Sequence, residues 1–282
     1  MKLCRYGRNG YEKPGIIDGE GRLRDLSKVV ENIGPKELSP RGLKMLAKVK
    51  PETLPVVANN PRLGVPFVGI GKFPAIGLNY SDHAKEAGMP IPPEPIVFMK
   101  ATTAISGPND DIVQPKRSTK LDWEVELGIV IGSKAQYVDE KVALSHVAGY
   151  CVVNDVSERS FQMATSQWDK GKGFDTAGPI GPWLVTTDEI RDPQQLEMWL
   201  DVNGKRMQSG NTRTMIFSCA QIVSHVSQYM TLLPGDVITT GTPPGVGMGV
   251  KPNPVFLKPG DVVTLGIRGL GEQKQKVVAH SG

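Results

Sequence analysis

Apolar residues group into many short runs separated by glycine and proline, a pattern typical of a β-rich protein. The runs EVELGIVIG (124–132) and AGYCVVNDVS (148–157) predict strands. LGIVIG is apolar at consecutive positions and therefore predicts a strand buried on both faces. Helical spacing is clearest in SCAQIVSHVSQYMTLL (218–233), where the apolar positions are Ile222, Val223, Val226 and Met230. The pattern predicts a mainly β protein with short helices, an α+β fold.

The first 69 residues predict a small β-rich domain. Three short strands, MKLCRYG, KPGIID and RLRDLS, precede a weak helical stretch, SPRGLKMLAKV (39–49). A proline-rich connector (51–69) follows, so we place a boundary near residue 70. The chain would then consist of domain 1–69 and a larger domain 70–282.

Within the larger domain, FPAIGLNY predicts a strand and SDHAKEAG a short helix capped by Ser81 or Asp82. SERSFQMATSQW (157–168) resembles a helix. LEMWLDVNGKRM (196–207) predicts a hairpin, because Asn-Gly favours a type I′ turn.

Composition narrows the classes of protein to be considered. The net charge is only +4 among 62 Lys, Arg, Asp and Glu residues, and no basic block occurs, which argues against nucleic acid as a partner. Three scattered cysteines favour a reducing compartment over a disulfide framework or a zinc cluster. The N-terminus lacks an apolar targeting segment and no apolar stretch is long enough to span a membrane, so we expect a cytoplasmic, soluble protein.

An acidic stretch, LDWEVELGIVIG, holds the first candidate chemistry. Asp122, Glu124 and Glu126 share one face of a strand that then becomes apolar. A half-exposed strand with solvated acids would explain the spacing. Carboxylates close to a core are costly unless a cation neutralises them, and Asp155 ends another strand 29 residues after Glu126. Oxygen ligands without a nearby His/Cys cluster favour Mg²⁺, Mn²⁺ or Ca²⁺ over Zn²⁺.

A second candidate lies in NYSDHAKEAG, where His83 and Glu86 are three residues apart and would share a helix face. A carboxylate that orients a histidine makes it a base able to activate water. The alternative is an ordinary surface pair on a helix.

Two glycine-rich loops follow. WDKGKGFDTAGPIGPW (168–183) could bring Lys170 or Lys172 to an anionic substrate, or could be a solvated loop. ITTGTPPGVGMG (238–249) is not a dinucleotide motif, because its prolines and the KPNP that follows prevent the required helix. It can still offer backbone N–H groups and the Thr242 hydroxyl to a carboxylate.

Taken together and in order, five segments resemble the fumarylacetoacetate hydrolase family over roughly residues 70 to 280. They are DWEVELGIVIG, GYCVVNDVSERSFQ, KGKGFDTAGPIGPW, TRTMIFSCAQIVSHVS and LLPGDVITTGTPPGVG. The resemblance implies a β-roll or barrel-like core with short helices, a small N-terminal domain and a homodimer. Some relatives carry a basic residue where this chain has Leu78.

The resemblance also implies roles for individual residues. The metal ligands would be Glu124, Glu126 and Asp155, with Asp122 in the same motif as a supporting residue. The remaining site residues would be a catalytic pair (His83 and Glu86) in a mobile lid, a polar pair that contacts substrate oxygens (Gln162 and Lys172), and substrate-binding groups in the TGTP loop (Gly241 and Thr242).

The reaction implied is hydrolysis of a carbon–carbon bond in a 2,4-dioxo acid, an acylpyruvate or a 2,4-dioxo-3-deoxy sugar acid, with Mg²⁺ as the expected ion. His83 would activate water, and the departing carbanion would become an enolate held on the metal, leaving pyruvate and a carboxylic acid. The same site could serve an oxaloacetate-type decarboxylase, a lyase, or a keto–enol isomerase or hydratase. A non-catalytic acid-binding protein stabilised by metal is a further alternative.

Overall fold

The computed structural model describes residues 1–281, and in this range the chain is a set of packed β-sheets with few, short helices. The strands are β1 (Lys2–Tyr6), β2 (Lys13–Ile17), β3 (Leu23–Asp25), β4 (Phe73–Gly77), β5 (Ile96–Lys100), β6 (Ile105–Ser106), β7 (Ile112–Gln114), β8 (Leu121–Asp122), β9 (Val125–Ile131), β10 (Val147–Asn154), β11 (Ser157–Glu158), β12 (Gly178–Thr186), β13 (Glu197–Val202), β14 (Lys205–Asn211), β15 (Val237–Thr239), β16 (Val262–Ile267) and β17 (Gly271–Ala279).

The helices are α1 (Pro35–Leu38), α2 (Pro40–Leu46), α3 (Ser81–Ala87), α4 (Glu140–Ala143), α5 (Arg159–Gln162), α6 (Asp169–Lys172) and α7 (Cys219–Tyr229). Short 3₁₀ segments lie at Pro51–Thr53, Thr102–Ala104, Leu144–His146, Thr187–Glu189, Thr212–Thr214 and Gly247–Gly249. None of the helices in residues 1–281 has the length and apolar character needed to cross a bilayer.

The strands form one large sheet, one smaller sheet and a two-stranded pair. The large sheet has the order β3-β2-β1-β12-β10-β9-β15-β4-β5, with β6 beside β12, and the smaller one has the order β14-β13-β16-β17-β7. Pairing is antiparallel except at β15/β4, β12/β6 and β17/β7. The mixed sheets with short helices confirm the expected fold class.

Strand β9 lies at the centre of the large sheet and is buried along its whole length, as its apolar sequence predicts. Alternate side chains point to opposite faces. Val125 and Leu127 join the larger core cluster between the sheets, whereas Val130 joins a second cluster on the other face. The acidic residues that precede and enter this strand are therefore held by a rigid scaffold.

The N-terminal residues contribute strands to the same large sheet. β1 pairs with β12, and Leu3 and Leu38 pack in the cluster that also holds Val130. Residues 1–69 are thus docked on one face and edge of the sheet. The domain boundary near residue 70 stays a prediction.

Three local expectations have clear outcomes. The Asn203-Gly204 turn has positive φ at both residues, as a type I′ hairpin requires. Helix α3 has Tyr80 as its N-cap and no side-chain cap, so capping by Ser81 or Asp82 was wrong; Ser81 is already helical.

The helix expected over 157–168 is also much shorter than its sequence suggests. Only Arg159–Gln162 is α-helical, and residues 163–167 are exposed. Without an apolar face to bury, a short helix has little to stabilise a further turn.

Candidate active site and metal centre

Strand pairing brings three carboxylates together. β9 and β10 are antiparallel with Val125 opposite Asn154, and the backbone N–H of Asp155 donates to the carbonyl of Glu124 at 2.9 Å. Ligand oxygens of Glu124, Glu126 and Asp155 all lie within 4.8 Å of one another, and all three residues are buried. We call these residues the acidic triad.

Lys172 and Arg159 neutralise part of the triad's charge. Lys172 Nζ lies 2.7 Å from both Glu124 Oε2 and Asp155 Oδ2. Arg159 Nη2 donates to Glu124 Oε1 at 2.7 Å. Burial alone would raise the pKa of Glu124, but the charges of Lys172 and Arg159 outweigh it and lower that pKa.

Lys100, at the end of β5, is a third buried cation. Its Nζ donates to Asp155 Oδ1 at 2.6 Å and to the carbonyl of Lys172. The residue is only 2% exposed, and burial lowers the pKa of its ammonium despite the favourable charge of Asp155. Lys100 thus connects one member of the triad to the last residue of helix α6, Lys172, which the sequence had placed in a glycine-rich loop.

Glu126 has no basic partner among the described residues. Its Oε2 accepts hydrogen bonds from Thr239 Oγ1 and from the backbone N–H of Gly241, at 2.8 Å for the latter. Burial, followed by the charges of Asp155 and Glu124, raises its pKa well above the usual range. Glu126 is therefore the member of the triad that has no basic residue beside it, and it faces the other two carboxylates.

The charge inventory fits a divalent cation. When Glu126 is ionised, as a metal ligand must be, four carboxylates (the triad and Asp122) meet three cations (Lys100, Arg159 and Lys172), which leaves one excess negative charge. Oxygen-only donors favour Mg²⁺, Mn²⁺ or Ca²⁺. A bound divalent ion would leave the site with one net positive charge, suited to an anionic substrate.

Asp122 lies outside the triad, in a supporting position. Its Oδ1 accepts from the backbone N–H groups of Trp123 (2.8 Å) and Gly247 (2.7 Å), and its Oδ2 accepts from Met248 N–H and from Arg159 Nε. It therefore fixes both Arg159 and the loop that follows β15.

His83 and Glu86 form the predicted pair on α3. His83 Nδ1 lies 3.0 Å from Glu86 Oε2, and the backbone N–H of Gly245 donates to Glu86 Oε1 at 3.1 Å. The carboxylate therefore joins α3 to the glycine-rich loop and orients the imidazole ring. His83 Nε2 makes no hydrogen bond within residues 1–281.

The acidic triad and the His83–Glu86 pair share one cavity of about 350 Å³. The triad, Lys172 and Arg159 line it together with His83, Glu86 and Gln162. Gln162 Oε1 accepts from Arg159 Nη1 at 3.0 Å. No hydrogen bond from its amide nitrogen occurs in the described residues, so that group is available to a ligand.

Gly241 and Thr242 line the cavity too, but their polar groups are already engaged. Gly241 N–H holds Glu126, and Thr242 Oγ1 donates to the carbonyl of Val125 at 2.9 Å and accepts from Gln208 at 2.8 Å. In this conformation neither residue offers these groups to a substrate. These contacts position the strand that carries the triad, and the substrate-binding role expected from the resemblance stays a prediction.

Three residues of the site were missed by sequence reasoning: Arg159, Lys100 and Thr239. Arg159 could have been found, since it lies four residues after Asp155 and three before Gln162. Lys100 ends the apolar run IVFMK, where a charged residue about to be buried carries only a weak signal.

The site therefore combines, in one cavity, a buried acidic triad that could hold a metal ion and a His–Glu pair. The family model for the fumarylacetoacetate (FAA) hydrolase C-terminal region matches residues 72–278. The chain belongs to the fumarylacetoacetate hydrolase family.

Individual relatives agree with this assignment. A Burkholderia cenocepacia protein named "Putative hydrolase" is 63% identical over 277 residues, covering 98% of both chains. Fumarylacetoacetate hydrolase from Exiguobacterium antarcticum has a TM-score of 0.88 at 36% identity, covering 99% of this chain and 100% of that one. The family and the relative's name indicate an enzyme.

Two further solved structures differ in the reaction their names state. A 2-hydroxyhepta-2,4-diene-1,7-dioate isomerase from Mycobacterium marinum has a TM-score of 0.78 at 33% identity. Maleylpyruvate hydrolase from Sphingobium sp. SYK-6, solved with manganese(II) and pyruvate, has a TM-score of 0.83 at 28% identity. Each alignment covers both chains completely.

Proposed function

We propose that the protein is a divalent-metal-dependent hydrolase that cleaves a carbon–carbon bond in a 2,4-dioxo acid. The products are pyruvate and a carboxylic acid. The observation that carries this proposal is the presence, in one cavity, of the acidic triad and of a histidine oriented by a carboxylate. A similar protein solved with manganese(II) and pyruvate gives further support.

The first role belongs to the His83–Glu86 pair. In the proposed tautomer His83 Nδ1–H donates a hydrogen bond to Glu86 Oε2, so that Nε2 carries a lone pair and can take a proton from water. The activated water attacks the carbonyl carbon at position 4 of the substrate. His83 then returns the proton to the carbon that leaves, so that one water is consumed for each bond broken.

The second role belongs to Lys172 and Gln162, which stabilise negative charge on the attacked carbonyl oxygen. Two of the three Lys172 ammonium protons are directed at Glu124 and Asp155, which leaves one for the substrate. Gln162 supplies its amide N–H groups. Donors of this kind contribute about 3–4 kcal/mol each to transition-state stabilisation.

Glu124, Glu126 and Asp155 would hold the ion. When bound, the cation supplies Lewis-acid stabilisation of negative charge that develops on the oxygens of the 2-oxo acid. Lys100, Thr239 and Gly241 keep the ligand carboxylates in place through the hydrogen bonds described above.

Isomerisation on the same site is the second candidate, favoured by the similarity to the M. marinum isomerase. It would use His83 to move a proton between carbon and oxygen without attack by water. A decarboxylase of oxaloacetate would need neither attack by water nor the His83 base in that role.

Product analysis separates these reactions. We expect the protein with Mg²⁺ or Mn²⁺ to convert an acylpyruvate into equal amounts of pyruvate and free acid, and His83→Ala to abolish this conversion. His280→Ala, at an exposed histidine, serves as the matched control. Isomerised product without pyruvate, or CO₂ from oxaloacetate as the only activity, would refute hydrolysis.

Assembly and location stay predictions from the resemblance and the composition. We propose a homodimer, which light scattering of the purified chain would test against a monomer. A cytoplasmic location is proposed as well, and it would be checked by cell fractionation.

A further inference from the structure

Apart from the catalytic groups, the cavity walls are mostly apolar. The larger apolar side chains that line it are Leu78, Met89, Phe98, Met163, Trp168 and Met248. They come from the segments around α3, β5, α5 and the loop after β15, so several parts of the fold supply one apolar surface. This surface plays no part in the hydrolysis described above.

The aromatic members of this wall form a fixed pair next to the reacting groups. The rings of Phe98 and Trp168 meet edge to face with centroids 5.4 Å apart. The Phe98 centroid lies 5.4 Å from Lys172 Nζ, and a Cβ atom at Gly77 would come within 2.5 Å of the Trp168 ring. The apolar wall therefore begins one side chain away from the acidic triad.

Three methionines in this wall are exposed although they are large and apolar. The exposed fractions are 49% for Met89, 66% for Met163 and 40% for Met248. Methionine is flexible and polarisable and adapts to apolar ligands of different shapes. A ligand with an apolar group would cover these side chains and remove them from water.

Polar groups that could bind a ligand are scarce along the apolar wall of the cavity. Among residues 1–281, the charged side chains that line the cavity form ion pairs with one another, except Glu126, which faces the other two triad carboxylates, and Lys251. Lys251 is exposed, and exposed charges contribute little to binding because water screens them. Hydroxyl groups of a sugar acid would lose water against the apolar wall without gaining hydrogen bonds.

We propose that the substrate's acyl group is apolar, so that the protein acts on alkyl- or arylpyruvate-type 2,4-dioxo acids rather than on sugar acids or on acids with a second terminal carboxylate. This inference rests on the proposed function for the orientation of the substrate, with its 2-oxo acid end at the triad. The apolar acyl group, which becomes the carboxylic acid product, then lies against Phe98, Trp168 and the methionines.

A homologous ligand series tests the inference. Acetyl-, butanoyl-, hexanoyl- and benzoylpyruvate are compared with a carboxylate-terminated acylpyruvate of hexanoyl length and with a 2,4-dioxo-3-deoxy sugar acid. Calorimetry on the Mn²⁺-loaded His83→Ala protein gives each Kd, and pyruvate release by the wild type gives kcat/KM. We expect Kd to tighten by about fourfold per added methylene until the cavity is filled, and the carboxylate-terminated ligand to bind at least about tenfold more weakly than hexanoylpyruvate.

Two variants of the wall make the test specific. Leu78→Arg should weaken the binding of hexanoylpyruvate and strengthen that of the carboxylate-terminated ligand. Leu78→Met, which conserves volume, should leave the two ligands in the same order of affinity as in the wild type. Met163→Gln, at an exposed position, should weaken hexanoyl binding even if Leu78→Arg fails to fold.

The outcomes separate this inference from the proposed function. Pyruvate release with preference for the carboxylate-terminated or sugar-acid substrate overturns the apolar assignment and leaves the hydrolase proposal intact. If no pyruvate is released but Kd tightens steeply as the acyl group becomes longer, the apolar assignment is supported and hydrolysis is refuted. If Kd does not change with the length of the acyl group, the apolar assignment is overturned whether or not pyruvate is released.

Discussion

Replacing Glu126 by glutamine tests whether the excess charge of the triad is what binds a cation. The substitution keeps the shape of the side chain and one oxygen that can accept from Thr239 and Gly241. It removes one negative charge and points an amide nitrogen at the neighbouring carboxylates. The charge change is therefore isolated from a change in packing.

The size of the effect follows from the separation of the oxygens. The triad oxygens lie within 4.8 Å of one another, and two ionised carboxylates at that separation repel by about 3.5 kcal/mol at an effective dielectric constant of about 20, a repulsion that a bound cation relieves. Because Lys172 offsets part of the charge on Glu124 and Asp155, the repulsion that Glu126 experiences is about that of a single carboxylate pair. A free energy of that size corresponds to a change of about two to three orders of magnitude in metal affinity.

Two measurements check this reasoning, because the substitution should weaken metal binding without lowering the stability of the metal-free protein. Calorimetric titration with Mn²⁺ should show that Glu126→Gln binds about two to three orders of magnitude more weakly than the wild type. Thermal unfolding in chelator should show an equal or higher midpoint for the variant, because glutamine removes the cost of burying an acid whose pKa is raised well above its usual range. Glu140→Gln, at an exposed acid, should change neither result. Mn²⁺ affinity within about threefold of the wild type would refute the account, and so would a much less stable metal-free variant.

Other parts of the structure give further predictions. Lys100→Met should lower the free energy of unfolding by about 3–5 kcal/mol, because Asp155 loses a buried partner; an unchanged urea midpoint would contradict this. Thr242→Val should cost about 1–3 kcal/mol of stability with little change in KM, since its hydroxyl serves the backbone; a raised KM at unchanged stability would assign it to substrate instead. Burial raises the pKa of all three cysteine thiols, those of Cys4, Cys151 and Cys219, to about 12. A thiol reagent at neutral pH should therefore label the protein only after unfolding, whereas rapid labelling of the native protein would show that at least one thiol is accessible.

Much of the candidate site could be predicted because its signals are local. The two-residue spacing of Glu124 and Glu126 and the apolar run after them define a buried strand with acids at its start. A strand that returns from it brings Asp155 alongside, and antiparallel pairing does so here. His83 and Glu86, three residues apart, likewise lie on one face of α3 and are joined by a hydrogen bond.

The remainder depends on contacts between distant parts of the chain. Nothing near Lys100 in the sequence shows that its ammonium will meet Asp155, which is 55 residues away. The direction of the Thr242 hydroxyl depends on Gln208 in another sheet, and the Gly241 N–H group is taken up by Glu126. A motif identifies such residues as belonging to a site, but only the packed structure shows which partner each has.

The most direct test of the account is the rate of pyruvate release from an acylpyruvate as Mg²⁺ or Mn²⁺ is added back to chelator-treated wild-type protein. We predict no release in chelator and a saturable return of activity that requires the triad of Glu124, Glu126 and Asp155. Undiminished pyruvate release in chelator would contradict the central claim that these carboxylates hold a catalytic cation.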